Sequence, residues 1–146
     1  MALKDIIIET QTDLLANPDH AIATFSVDSR QTDTGPNPVE VVLAALATCQ
    51  EITYRAYATT LGIPLESVSV TLEGSLDLRG FFAVRDGVRA GFNDVRGVVN
   101  LKSSAPDAEL AKLKDVVDGH CPVLDILRAP VPVDLRLETQ RATQAA

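Results

Sequence analysis

The chain lacks most features of proteins that bind nucleic acids. It has no tryptophan and only two tyrosines and four phenylalanines among its 146 residues. Its 13 Lys and Arg residues are outnumbered by 20 Asp and Glu residues, which gives a net charge of −7, and no basic cluster interleaved with aromatic residues occurs. Nucleic acid is therefore not an expected partner, because binding to its phosphates requires a basic surface.

Long apolar runs and abundant cysteine are also missing. No run reaches the roughly 20 apolar residues that span a bilayer. Residues 1–15 carry acidic side chains where a signal peptide requires an uninterrupted apolar segment. We therefore expect no membrane association and a cytoplasmic location. Two cysteines in a reducing compartment do not form a structural framework, so redox chemistry is the better explanation if they pair.

What remains is typical of one globular domain spanning residues 1–146. Apolar residues make up 46% of the chain and charged residues 23%, and this length is sufficient to bury a sizeable core. No repeat, low-complexity segment or interdomain linker divides the chain. Residues 139–146 have no apolar pattern and are interpreted as a frayed tail.

The chain is organised around an apolar helix predicted for residues 37–62. Asp33 or Thr34 can cap its start, Pro38 suits its first turn, and Gly62 marks its end. Residues 41–47 are apolar nearly all the way round the helix. This pattern predicts a helix that is buried on several sides.

Alternating apolar residues and turn signals predict the other elements. The predicted strands are 21–27, 68–82, 92–102 and 131–137; the predicted helices are 104–117 and a short one after Pro122, and residues 3–16 suit either a helix or a strand. The second and third strands form a hairpin around the turn at Asp86-Gly87. The order of elements predicts an α+β domain with an antiparallel sheet and two principal helices.

Each cysteine has a structural and a chemical interpretation. Pro122 favours the first position of a helix, which places Cys121 at its N-cap, where the helix dipole favours a thiolate and His120 adds positive charge if protonated. An unreactive capping residue fits this pattern equally well. Cys49 follows the apolar run of the central helix, where a free cysteine is most often a small hydrophobic residue. A reactive Cys49 requires a cation that the fold must supply.

Metal and phosphate chemistry are not favoured. His20, His120, Cys49 and Cys121 are suitable zinc ligands by type, but no C-x-x-C spacing supports a site. Phosphate-loop and serine-hydrolase motifs are absent from the sequence. We therefore expect neither a metal nor a bound cofactor.

The two cysteine segments together resemble one family. TGPNPVEVVLAALATC at residues 34–49, followed much later by HCPVLDIL at 120–127, resembles the bacterial osmotically inducible and organic-hydroperoxide-resistance proteins, the OsmC/Ohr family. The resemblance covers about residues 34–137, and the run GPNPVEVVLAALATCQEITY is similar to an OsmC-like branch. It divides the chain into a variable N-terminal segment, 1–35, and a family core, 36–138.

The resemblance implies a two-cysteine peroxidase that is an intertwined homodimer, with two sites at the subunit interface. It assigns Cys49 as the thiolate that attacks an organic hydroperoxide and Cys121 as the thiol that resolves the sulfenic acid to a disulfide. A small dithiol of the lipoyl type is the implied reductant.

The resemblance also implies an activating arginine that is anchored by a carboxylate directly after the Asn-Pro of the central helix. Here that position is Val39, and the nearest acid is Glu40. Glu40 points about 180° away from Cys49 on the same helix, so it acts only through a partner subunit or a loop. Arg30 is the sole arginine before the helix and is the candidate for the activating cation.

Two other functions remain open. Val39 in place of the carboxylate favours a non-catalytic OsmC-like protein that binds a small apolar ligand at the dimer interface. A thiol–disulfide redox sensor without preference for peroxides is the third hypothesis.

Overall fold

The computed structural model describes residues 3–16, 38–83 and 86–139. In chain order the elements are α1 (Leu3–Ala16), α2 (Pro38–Leu61), β1 (Ser67–Leu76), α3 (Leu78–Phe81), β2 (Phe92–Lys102), α4 (Asp107–His120) and α5 (Pro122–Arg128). The two strands pair antiparallel in one sheet. The predicted α+β class with an antiparallel sheet is confirmed, and no helix in the described ranges is long and apolar enough to cross a membrane.

The central helix α2 has the predicted bounds to within one residue at each end. Pro38 is its first residue, and Gly62 follows its last with φ +71°. Glycine adopts this left-handed conformation without a Cβ clash, which allows the chain to leave the helix. The Ile63 N–H then donates to the Ala58 carbonyl at 2.8 Å. The predicted caps, Asp33 and Thr34, lie outside the described residues.

The core forms where the C-terminal half of α2 meets α4 and the sheet. Its buried members are Tyr54, Ala58, Val68, Leu113 and Val117. The two α4 residues are four positions apart, so they lie on one helix face and contact α2 together. Helix α2 also contacts α1, β1 and α5, which makes it the central element of the described fold.

The hairpin is shorter than predicted. Its register runs from Ser67 opposite Lys102 to Leu76 opposite Phe92, with an irregularity between Ser75 and Leu76. The prediction of one strand over 68–82 is wrong beyond residue 76. Asp77 accepts a hydrogen bond from the Arg79 N–H at 3.0 Å and thereby caps the single turn α3. A local side-chain cap therefore ends the strand where alternation alone suggested its continuation.

The predicted strand at 131–137 is also wrong. This segment has no regular secondary structure and pairs with no strand in the described ranges. Its alternate apolar residues face solvent, and Leu135 and Leu137 are each 88% exposed. A strand requires a neighbouring edge with which to exchange hydrogen bonds, and the β1–β2 hairpin does not supply one here. The predicted strand at 21–27 lies outside the described residues.

Two helical predictions are refined. Residues 3–16, which suited a helix or a strand, form α1. Helix α4 does not end at Val117 but continues through Gly119 to His120. Cys121 then interrupts the helix with φ −82° and ψ 112°, and Pro122 opens α5, so the predicted N-cap position of Cys121 is confirmed.

Candidate functional site

The fold brings the two cysteines into contact. The Cys121 sulfur lies 3.3 Å from the Cys49 sulfur, although the residues are 72 positions apart in the chain. Cys49 is in the middle of α2, and Cys121 lies in the turn between α4 and α5. Both are free thiols. Because a disulfide requires about 2.05 Å between sulfurs, a movement of little more than 1 Å would join them.

The two sulfurs differ in accessibility. Cys121 is 1% exposed, whereas Cys49 is partly exposed and opens onto a groove of about 470 Å³. The groove is lined by one stripe of α2 and by the α4–α5 turn: Ala45, Thr48, Cys49, Ile52, Thr53, Ala56, Tyr57, His120 and Pro122. A reagent that enters this groove therefore meets Cys49, while Cys121 stays covered.

The groove is predominantly apolar. Thr53 donates its hydroxyl to the Cys49 carbonyl at 2.7 Å, and Thr48 donates to the Ala44 carbonyl at 2.9 Å. Both hydroxyl protons are thus used within the helix. No lysine, arginine or carboxylate occurs among the described residues that line the groove. This lining suits an alkyl group better than a strongly hydrated molecule.

The Cys49 thiol is less acidic than an ordinary cysteine. Burial is the largest cause of its raised pKa, and the neighbouring Cys121 thiol raises the pKa further. A backbone hydrogen bond from Val123, in the first turn of α5, and the nearby Thr53 side chain lower this pKa without cancelling the shift. The described surroundings of Cys49 therefore disfavour its thiolate form.

His120 anchors one end of the groove. Its Nδ1 lies 2.7 Å from the Val116 carbonyl oxygen, and its ring packs against Tyr57 with 5.3 Å between centroids. Because a carbonyl only accepts hydrogen bonds, Nδ1 carries the proton. The sequence suggested a charge beside Cys121; in the structure the imidazole packs against an α2 aromatic ring.

Of the other predicted site residues, the structure describes Glu40, and it does not place Glu40 in the groove at the cysteines. Glu40 is exposed in the first turn of α2 and does not line the Cys49 groove, as its helical position predicts. Val39 lines a different groove, between α2 and the sheet. Arg30 and His20 lie outside the described residues. Within the described ranges, no cluster of three or more His, Cys, Asp or Glu residues could hold a metal.

The sequence did not single out Gln50 or the contribution of Tyr57. Gln50 is 5% exposed, and its Nε2 has no hydrogen-bond partner among the described residues. It lies four positions after Leu46, with which it lines a second groove of about 700 Å³ between α2 and the sheet. The sequence did contain a signal for Gln50, because this polar residue follows Leu46 at helical spacing on an otherwise apolar stripe of the predicted helix. For Tyr57 the signal was its spacing of eight residues from Cys49.

Comparisons with known proteins agree with this architecture. The family model described as OsmC-like protein matches residues 31–136. No curated protein matches the chain.

Two solved structures are similar in fold. The first is an OsmC-like protein from Mycoplasma pneumoniae, with a TM-score of 0.58 and 19% identity, over 79% of this chain and 70% of that one. The second is an OsmC-like hydroperoxide resistance protein from Jannaschia sp. CCS1, with a TM-score of 0.56 and 16% identity, over 81% and 77%. The α2–hairpin–α4 arrangement and the match over most of the chain lead to one conclusion: this protein belongs to the OsmC-like protein family.

Proposed function

We propose that the protein is a cytoplasmic, thiol-dependent peroxidase that reduces organic hydroperoxides. The observation that carries the proposal is the 3.3 Å contact between an accessible Cys49 sulfur and a buried Cys121 sulfur. Two thiols so arranged provide an attacking group that faces the substrate and a resolving group that is kept from it. The name of one similar structure, a hydroperoxide resistance protein, supports the same reaction class.

The reaction proceeds in two steps. The Cys49 thiolate attacks the terminal oxygen of the hydroperoxide, the O–O bond breaks, and the alkoxide leaves as an alcohol after taking a proton. Cys49 is then a sulfenic acid. The Cys121 sulfur bonds to the Cys49 sulfur and water is released, which leaves a disulfide. A small dithiol of the lipoyl type reduces this disulfide and restores both thiols.

The lining of the groove supports an alkyl substrate. Ile52, Ala56 and Pro122 offer apolar surface beside Cys49. Desolvating a hydrogen peroxide molecule there is unfavourable, whereas an alkyl chain gains about 25 cal/mol per Å² of buried apolar surface. Organic hydroperoxides are therefore the proposed substrate class.

Exposed apolar surface supports a homodimer. Two such surfaces occur, one on α2 and one in residues 131–137, with these members: Val41, Val42, Ile52, Val131, Val133, Leu135 and Leu137. Exposed apolar surface of this kind is typical of a protein–protein contact. A second copy that covers the α2 surface would border the Cys49 groove, since Ile52 belongs to both the surface and the groove.

The raised pKa of Cys49 indicates that activation needs a cation. No Lys or Arg lines the groove in the described residues. Arg30 is our candidate, and Glu40 is the candidate carboxylate for holding it, across the subunit interface rather than within one helix. Both roles follow from the family resemblance.

The direct test measures the oxidation state of both cysteines from the mass of the intact protein. Reduced protein receives one equivalent of cumene hydroperoxide, is quenched with an alkylating agent under denaturing conditions, and is weighed intact. Loss of two hydrogens without alkylation is the expected result. Two alkyl groups, as on untreated protein, would overturn the peroxidase proposal.

A second function is favoured by one observation. Because burial raises the pKa of Cys49 and so disfavours the attacking thiolate, a protein that binds a small apolar ligand at the dimer interface is the alternative. Two results together would support this alternative. The thiols would not react with hydroperoxides, and a small apolar fluorophore would bind saturably to the wild-type protein but not to Ile52→Asp. A redox sensor instead oxidises as fast with diamide as with alkyl peroxides.

A further inference from the structure

The turn that carries Cys121 has no side-chain cap of its own. Cys121 is the N-cap residue of α5, yet its side chain makes no capping hydrogen bond, and its backbone is extended. The position of its sulfur therefore depends on how the neighbouring residues are held.

His120, the residue immediately before Cys121, is held at two points. Its Nδ1 donates to the Val116 carbonyl at 2.7 Å, which fixes the ring to the last turn of α4. Its ring packs on Tyr57 at 5.3 Å with an interplanar angle of 52°. Tilted aromatic pairs at this separation are attractive beyond the area that they bury. The imidazole thus links α4 to α2.

This link connects the two cysteines by a short path. Cys49 and Tyr57 lie on the same stripe of α2, because both line the same groove together with His120. His120 and Cys121 are adjacent in the chain. Movement of the imidazole away from Tyr57 would therefore shift the Cys121 sulfur relative to the Cys49 sulfur.

We propose that His120 is a positioning residue that sets the rate of disulfide closure by anchoring the α4–α5 turn to Tyr57. The proposal rests on the proposed function in one respect, since peroxide supplies the Cys49 sulfenic acid. In closure the S–S bond forms, the Cys49 S–O bond breaks, and the departing hydroxide takes the Cys121 proton to leave as water. The Cys121 sulfur is oxidised as the Cys49 sulfur is reduced, so no other oxidant is required.

The rate of such a step is sensitive to small displacements. The attacking sulfur must approach along the S–O bond axis, and a misplacement of about 1 Å can cost up to about 100-fold in rate. The first step, attack of Cys49 on peroxide, does not involve Cys121. Displacement of Cys121 therefore slows closure more than it slows sulfenic acid formation, a difference that general loss of stability does not produce.

Rapid mixing of reduced protein with cumene hydroperoxide separates the two steps. Acid quenching at successive times, followed by intact mass, counts the sulfenic acid and the disulfide. In His120→Ala we expect the rate of closure to fall by about tenfold relative to the rate of sulfenic acid formation. His120→Phe keeps a ring against Tyr57 and is expected to recover most of the closure rate. Lys112→Ala, on the exposed face of α4, is the control that closes normally.

A second oxidant keeps this inference separate from the peroxidase proposal. Diamide adds to one thiol, and the other thiol displaces the hydrazine to form the disulfide, so closure is measured without peroxide. If the wild-type protein does not react with peroxide but forms the disulfide with diamide at a rate that depends on His120, the peroxidase proposal fails and the positioning role is upheld.

The same variants can overturn the positioning role. Closure of His120→Ala at the wild-type rate with both oxidants would do so, as would closure of His120→Phe as slow as that of His120→Ala. Tyr57→Leu removes the same ring contact from the α2 side and serves as the second variant if His120→Ala does not fold. We expect it to slow closure to the same extent.

Discussion

The two halves of α2 are similar in composition and different in environment. In the C-terminal half, Tyr54 and Ala58 are each 1% exposed and pack against α4 and the sheet. In the N-terminal half, Val41 is 49% exposed and Val42 36% exposed. Apolar sequence therefore has two uses in one helix, stabilising the described fold in one half and presenting surface in the other.

Cys49 lies at the middle of α2, where the exposed half meets the half that forms the core, and this placement bears on its chemistry. A thiol at the position of Tyr54 or Ala58 would be enclosed by the core and unable to meet a substrate. At the middle of α2 the thiol borders a groove, while α5 places the Cys121 sulfur behind it. The predictions below test this division of α2, beginning with the largest expected effect.

Replacement of either cysteine by serine should abolish peroxide turnover, by about three orders of magnitude or more, because an alcohol is a far weaker nucleophile than a thiolate. The two variants differ in what accumulates. Only Cys121→Ser is expected to retain a sulfenic acid on Cys49 that dimedone traps, as detected by intact mass. A dimedone adduct on Cys49→Ser would show that the assigned roles are reversed.

Leu113→Ala should strongly destabilise the half of α2 that forms the core. Leu113 is fully buried against α2, and loss of such a side chain costs about 2–5 kcal/mol in the free energy of unfolding. Urea titration at fixed protein concentration measures this change. Lys112→Ala, one residue earlier and exposed, should stay within about 0.5 kcal/mol. Similar values for the two variants would contradict the position of the core.

Val41→Asp tests the exposed half. Because Val41 makes no contribution to the buried core, we expect the variant to fold normally. If this surface is the dimer contact, a buried carboxylate should weaken association by about tenfold or more. Sedimentation velocity over a range of concentrations measures the dissociation constant. Ala108→Asp, on the exposed first turn of α4, is the matched control. Equal association of the two variants would exclude this surface.

The pH dependence of Cys49 alkylation provides the finest test. Only the thiolate reacts, and the pKa of Cys49 is raised above its ordinary value of 9.0. The iodoacetamide rate should therefore rise about tenfold per pH unit from pH 6 to 9 without a plateau. In Cys121→Ser the Cys121 thiol, which raises this pKa, is absent, so the profile should move to lower pH. A plateau below pH 8 in wild-type protein would indicate a cation near Cys49.

Predictions from the sequence succeeded where the signal was local. Pro38 and Gly62 defined the ends of α2, and Pro122 placed Cys121 at the start of a helix, because each residue restricts its own backbone. The β1–β2 hairpin followed from alternation between two turn signals. The strand over 68–82 failed in its last third because alternation cannot detect the Asp77 cap.

Predictions that required a partner in space were harder to make. The segment 131–137 has a strand pattern, but a pattern does not supply an edge with which to pair. The seven apolar residues at 41–47 suggested burial on several sides, whereas only Leu46 among them is buried in this chain. Whether a surface is covered depends on what packs against it.

The sequence by itself therefore determined α2, α4, α5, the hairpin and the identity of the two cysteines. It did so because capping, backbone restriction and periodicity act over a few residues. Only the tertiary structure brought the two sulfurs to 3.3 Å, left Cys49 accessible and packed His120 on Tyr57. These contacts join residues more than 60 positions apart in the chain, and such residues meet only because α4 and α5 pack on α2.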